Sequence, residues 1–476
     1  MGYAEYIYRW DYYMRAYMGA EEWRDGAYLR KYLQEDQSPG NQYQQRLVDT
    51  ALQNHARMVV DSYRSFIFRN TPTRTLGELV DNPFVKQFIK DADMENNNMT
   101  SFMREVNDMV LIYGGCWVMV DRPAYTVETA AEEEALDIRA YAKIYNPTNI
   151  RNWDYETAPN GKTSLSFVVA VDENGGKHDI IRVWYPDRIE KYVVEKQDFV
   201  NTTNYLTAGD ANSRSEMRSL SYGKIIDFEE YENPLGYIPF QHVATDKTFH
   251  KGIGNSHISD TVDVMREIYN LTSEAYSTIL VSSHPSIVAE ASADIQGGAG
   301  AIITVDEATT VQPYLLQATG ATVGSILDLI EQKTQAIEDM THLSAIKARK
   351  GPQSGISLQV EREMLNVKLS DIAHTLERTE RQIWRMWFDW QQIEQTEEFE
   401  VYYEKKFDMK DKHQELSLYE KALTLVPHDS FQHYLHDTIA KLLIEDENDL
   451  QMILDSIAED HEEMGIATPD SPASEQ

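Results

Sequence analysis

Cysteine is almost absent: Cys116 stands alone in 476 residues. An intrachain disulfide and a Cys-rich zinc site are therefore excluded, and a reducing compartment is the simplest setting. Long apolar runs are missing as well. The most apolar stretches, such as residues 109–120, fall well short of the roughly 20 residues that cross a bilayer, so a soluble protein is expected. The opening MGYAEYIYRWDYY has no basic segment followed by an apolar one, which argues against a signal peptide. Positive charge is scarce: 44 Lys and Arg face 78 Asp and Glu, a net charge of −34. That balance disfavours a protein that coats nucleic acid or sits on anionic lipid. Catalytic signatures are absent too, with no P-loop, nucleophile elbow, zincin helix or dinucleotide glycine fingerprint.

What is present points to a folded body. Apolar residues make up 42% and aromatics 11%, too many for a disordered acidic chain, so the carboxylates must decorate packed domains. The length suggests about two to four of them. Residues 1–35 read as helix, rich in Tyr and Trp, and 42–68 as one amphipathic helix with Leu47, Ala51, Val59, Val60, Tyr63 and Ile67 at helical spacing. Further helix follows over 83–113, with Thr100 as an expected N-cap. The period then changes. Gly114 and Gly115 punctuate, and residues 116–121 read as a buried strand. Residues 139–145, 164–172, 179–186, 188–196 and 224–231 read as successive strands of a β-rich unit over about 114–245. Residues 198–220 read as a mobile polar loop, and the acidic run 132–134 as a solvated face.

The second half alternates differently. A helix over 256–283 ends at Pro285, a short β-type insert spans 286–317, and helix returns over 322–344. A small β module between two helices of similar length suggests an antiparallel helix pair with a β cap at its tip. Within the insert, residues 286–290 and 301–306 are the expected strands, joined by a turn at Gly297 and Gly300. The basic segment 346–355 carries Lys347, Arg349 and Lys350, and its Gly and Pro prevent it from being helical throughout. A helix of about 40 residues follows over 356–394, its stripe running Leu365, Leu369, Ile372, Leu376, Ile383, Trp387 and Trp390 with a gap at Thr379. Residues 399–407 read as a strand, 412–426 and 430–460 as helices, and 465–476 as a disordered tail.

Few side chains suggest chemistry. Gly252-Ile253-Gly254 reads as the entry turn of the next helix rather than a phosphate loop, and Gly297 to Gly300 precede a strand, not a helix. His428, His433 and His436 read as surface histidines rather than metal ligands, and His374 as a packing histidine rather than a base. Lys347, Arg349 and Lys350 stand out because they concentrate positive charge at a helix junction of an acidic chain. Composition alone balances a solvated loop against a loop that touches a phosphate backbone without sequence preference.

The order of modules resembles the portal protein of tailed bacteriophages, the head-to-tail connector ring. The resemblance rests on YLRKYLQED to SFIFRNTP (28–72), YGGCWVMVDRP (113–123), RAYAKIYNPTNIRNWDYE (139–156) and GIGNSHISDTVDVMREIYNLTSEAY (252–276), and covers about 25–460. It implies an α+β, mainly helical portal fold. In this reading 1–250 form the wing, 251–284 and 321–344 the two stem helices, 285–320 the clip and 345–355 the tunnel loop. Residues 356–411 supply the long helix and returning wing strand, 412–460 a short crown and 461–476 a disordered tail. It further implies a homo-oligomer, usually a dodecamer, at one capsid vertex, through whose channel double-stranded DNA is packaged and ejected. The implied partners are the terminase large subunit, the head-tail adaptor, the major capsid protein and a scaffold, with no membrane. The implied setting is the virion, with host cytoplasm during assembly. The DNA-facing residues would be Lys347, Arg349 and Lys350. Clip docking would fall to Ile287, Val288, Ile302, Ile303 and Val305. No catalytic residue, metal or cofactor is implied. The readings weighed against it are another oligomeric virion or adaptor protein with a helical stalk, and an enzyme with an unrecognised acidic site.

Overall fold

The computed structural model describes residues 6–32, 35, 42–123, 136–173, 178–195, 225–283, 286–288, 314–316, 321–345, 355–395 and 398–407, with a few positions between 416 and 439. About 51% of the described residues are helix and about 21% strand, so the α+β class expected from the sequence holds. Among the described residues no helix is long and apolar enough to cross a membrane. Contacts divide the chain into two compact units, Met1–Phe407 and Asp408–Gln476. In the second, Leu416, Tyr419, Glu420, Lys421, Ala422, Leu425, Leu435 and Ile439 are helical. The segments 132–134, 198–220, 297–306, 346–354 and 465–476, and His428, His433 and His436, lie outside the described residues.

The first unit opens with α1 (Ile7–Met18) and the short α2 (Ala20–Trp23). The expected single helix over 42–68 is instead two, α3 (Gln42–Asp49) and α4 (His55–Ile67). Asn54 makes the break. Its Oδ1 accepts the Arg57 amide at 2.8 Å, which caps α4, while its Nδ2 donates to the Tyr17 carbonyl at 3.0 Å. Ala51, part of the expected stripe, falls in the break and is exposed. After α5 (Pro83–Lys90) comes α6 (Met99–Tyr113), whose N-cap is Asn98, not Thr100. The Asn98 carboxamide accepts the Ser101 amide at 2.9 Å, whereas the Thr100 hydroxyl accepts from Arg74 Nη1 at 3.0 Å.

Strand β2 (Cys116–Asp121) follows α6 and is almost wholly buried. It is the centre of a three-stranded antiparallel sheet between β3 (Tyr141–Tyr145) and β9 (Phe240–Val243). Arg139 precedes β3 rather than belonging to it. Its buried guanidinium donates to Asp91 Oδ2 at 2.6 Å and Asp137 Oδ1 at 2.8 Å. A five-stranded antiparallel meander comprises β4 (Ile150–Thr157), β5 (Thr163–Glu173), β6 (His178–Trp184), β7 (Arg188–Glu195) and β8 (Ile225–Glu232). The two sheets meet through aromatic contacts, Trp184 edge-on to Phe240 at 5.5 Å and Trp117 tilted on Trp153 at 5.5 Å.

Helices α7 (Ser259–Ser283) and α8 (Ala321–Met340) run antiparallel, cross-linked by the Lys333–Glu267 ion pair. At their far end β10 (Ser286–Val288) pairs antiparallel with β11 (Tyr314–Leu316), Ile287 opposite Leu315 and Val288 opposite Tyr314. Helix α9 (Gly355–Gln391) has 37 residues, about 56 Å of helix. Its C-terminal half enters the core: Trp387 Nε1 donates to the Ala140 carbonyl at 3.0 Å and Trp390 Nε1 to that of Val120 at 2.8 Å. The gap at Thr379 is filled, since this buried hydroxyl donates back to the Thr375 carbonyl at 2.7 Å. His374 is exposed and does not pack. Lying two residues from both Ile372 and Leu376, it is turned about 200° from the stripe.

The expected 399–407 strand shortens to β12 (Glu400–Tyr402), which pairs with β1 (Thr73–Thr75). This small sheet is fixed to α9 by a buried ion pair. Arg74 Nε and Nη2 bond the two oxygens of Glu380 at 2.5 and 3.1 Å, and the Tyr403 hydroxyl donates to the same carboxylate at 2.6 Å. Glu380 is fully buried, so removing one partner leaves a desolvated charge. Glu380→Ala is expected to cost about 3–5 kcal/mol, and the Arg74→Met/Glu380→Met double variant to recover part of it. Urea unfolding of the variants checks this, and an unchanged midpoint for Glu380→Ala contradicts it.

Candidate functional site

The entry of the helix pair α7–α8 is built on a backbone contact. Gly114 ends α6 in the left-handed region, at φ 86°. A Cβ there would lie 2.5 Å from the Gly254 carbonyl oxygen, and a Cβ on Gly254 would collide with the Gly114 carbonyl. Both positions therefore require glycine. Closeness lets the entry of α7 satisfy the carbonyls left open at the end of α6. Ser256 Oγ donates to the Ile112 carbonyl at 2.6 Å, and the His257 amide donates to that of Leu111 at 3.1 Å. Gly252-Ile253-Gly254 is thus an entry turn, as its spacing suggests.

The end of α8 is held equally firmly. The Tyr63 hydroxyl donates to the Thr341 carbonyl at 2.6 Å. A buried 3-10 turn, Leu343–Ala345, follows, and Ser344 Oγ donates to Glu361 of α9 at 3.2 Å. The chain therefore leaves Ala345 from an anchored turn and returns at Gly355 as α9. Lys347, Arg349 and Lys350 fall in this interval and lie outside the described residues. So do Ile302, Ile303 and Val305, whereas Ile287 and Val288 are brought into β10. The strand opposite β10 is Tyr314–Leu316, while the expected strand 301–306 lies outside the described residues.

Between α1, the end of α6, the start of α7, the end of α8 and the middle of α9 lies a cavity of about 540 Å³. Lys368 of α9 lines it, its Nζ 5.3 Å from the Tyr63 ring centroid and in no ion pair among the described residues. Burial lowers the Lys368 pKa, and Asp246 and Asp260 partly offset this. His257 lines it too, with Nε2 at 2.5 Å from Thr245 Oγ1. Burial, reinforced by the charge of Lys368, pushes this imidazole down to about 4. At that value it is a weak base for proton abstraction at neutral pH. His242, packed over Gly115 and against Trp117, is pushed down to about 3 by burial, with Lys247 adding to it. Among the described residues no group of three or more His, Cys, Asp or Glu converges as a metal site.

Sequence reasoning missed Lys368 and His257. Lys368 directly precedes Leu369 in the apolar stripe of α9, which was the available signal. His257 lies within the 252–276 stretch. No family model and no curated protein matches the chain.

The two imidazoles carry a pH signature. An unfolded imidazole takes up a proton near pH 6.5, while the folded ones refuse it until about 4 and 3. Their stabilising effect is therefore complete above 6.5 and is lost as pH falls towards the folded values. The histidine contribution to the unfolding free energy should drop between pH 6.5 and 5 by up to about 1.4 kcal/mol per pH unit each, opposed by Asp121, whose carboxyl is raised to about 6 by burial. His257→Gln should remove about half of that slope. Urea titrations at several pH values test this, and an unchanged slope in the variant contradicts it.

Proposed function

We propose that the chain is a portal protein of the tailed-bacteriophage type. Copies form a ring at one capsid vertex, double-stranded DNA passes through its axis, and terminase and the head-tail adaptor dock on it in turn. The observation that carries this reading is the order of parts around the anchored junction. An antiparallel helix pair ends in a small β ladder at one end and, at the other, in a clamped turn leading to a basic segment and a 37-residue helix. In this reading α7 and α8 are the stem, β10 and β11 belong to the clip, and the interval after Ala345 is the tunnel loop.

Physical arguments support it. A ladder of three residue pairs is too small to be stable alone and gains by adding to the edges of neighbouring copies. Twelve copies would carry roughly −400 charges, a field that keeps DNA off most of the wall. A conduit needs such a wall, because tight binding would stall translocation. Contact then concentrates on Lys347, Arg349 and Lys350, which follow the anchored turn at Leu343–Ala345. In this reading the chain itself is not an enzyme, and ATP hydrolysis belongs to the docked terminase.

The variant Lys347→Ala/Arg349→Ala/Lys350→Ala is expected to assemble as the wild type does but to package or retain less DNA, by about tenfold. Encapsidated DNA per particle is the measurement. Unchanged packaging and retention with intact assembly contradicts the DNA-facing role of this loop.

A further inference from the structure

Between β9 and α7 the chain projects a tip that the junction does not use. Phe249 stands there at 107% relative exposure. Its neighbours Lys247 and Lys251 are exposed as well, in a chain of net charge −34.

The tip is rigid. Lys247 bridges antiparallel to Gly254, and the Asn255 amide donates to the Asp246 carbonyl at 2.9 Å. Thr248 Oγ1 donates to the Ile253 carbonyl at 2.9 Å and accepts the His250 amide at 3.1 Å. Below, Ile253 is buried and Gly252, at φ 84°, passes under Trp153 too closely for a Cβ. Trp153 Nε1 donates to the Lys251 carbonyl at 2.9 Å. A rigid loop that presents a bare phenyl ring has already met the ordering cost of binding. Buried aromatic anchors of this kind dominate interface energetics.

Charge decides what covers it. A duplex phosphate backbone would engage the lysines but leave the phenyl ring unburied. A protein surface that is acidic with apolar recesses satisfies both. The geometry points to a second copy of this chain as the occupant: Phe249 inserts into the neighbouring copy, and Lys247 and Lys251 pair with carboxylates on its acidic surface. The contact joins two different patches, so it is heterologous and propagates around a ring. It rests on the ring reading above and names one of its seams.

The test is assembly as a function of concentration, by analytical ultracentrifugation of the full chain. Phe249→Ser and Phe249→Asp remove a fully exposed side chain, so both should fold, with circular dichroism as the check. Each should raise the concentration for half-assembly by about tenfold or more. Lys247→Glu/Lys251→Glu should do the same, and salt should weaken wild-type assembly. A wild-type ring with unchanged assembly in both Phe249 variants overturns this contact alone. A wild-type monomer overturns the ring reading and the contact with it. Variants that assemble normally but lose DNA retention overturn the contact in favour of a nucleic-acid role.

Discussion

Backbone meets backbone where Gly114 ends α6 and Gly254 leads into α7, and the architecture of the first unit depends on that contact. Without a Cβ on either side, the start of α7 can come close enough for Ser256 and the His257 amide to take up the last carbonyls of α6. The buried α6–β2 layer and the helix pair thus share one hydrogen-bonded joint. On it depend the position of α8, through its packing on α7, and the clamped turn at Leu343–Ala345.

Helix α9 returns from that junction into the core. Its first half carries Lys368 past the cavity, and its second half places Trp384, Trp387 and Trp390 among the core aromatics. The Arg74–Glu380 pair then fastens the terminal sheet to it. A helix of this length is a lever only if both ends are fixed. Here one end is tryptophan-packed and the other adjoins the basic interval. Under the portal reading the DNA-facing loop lies between an anchored turn and a core-packed helix.

Much of the fold was legible in the sequence. Four of the five meander strands fall within two residues of their expected ends, because alternation and turn residues are local signals, whereas β4 (Ile150–Thr157) was not expected. The break at Asn54 was not legible, since a cap is a bond between one side chain and the backbone, and the apolar period continues across it. The site divides in the same way. Basic residues at a helix junction can be read from composition. The convergence of Lys368, His257 and Asp246 on one cavity depends on residues more than 100 positions apart meeting through the glycine joint.

Under the portal reading the charge balance takes its meaning from assembly. A single copy at −34 would be a poor partner for DNA, whereas a ring of such copies would make a repelling wall with a few gripping points. Everything functional in this account therefore requires that copies close around an axis. Negative-stain electron microscopy of the purified protein tests that most directly. The account predicts ring-shaped particles with an axial channel wide enough for a DNA duplex, about 20 Å or more. Monomers, or fibres without a channel, would contradict it.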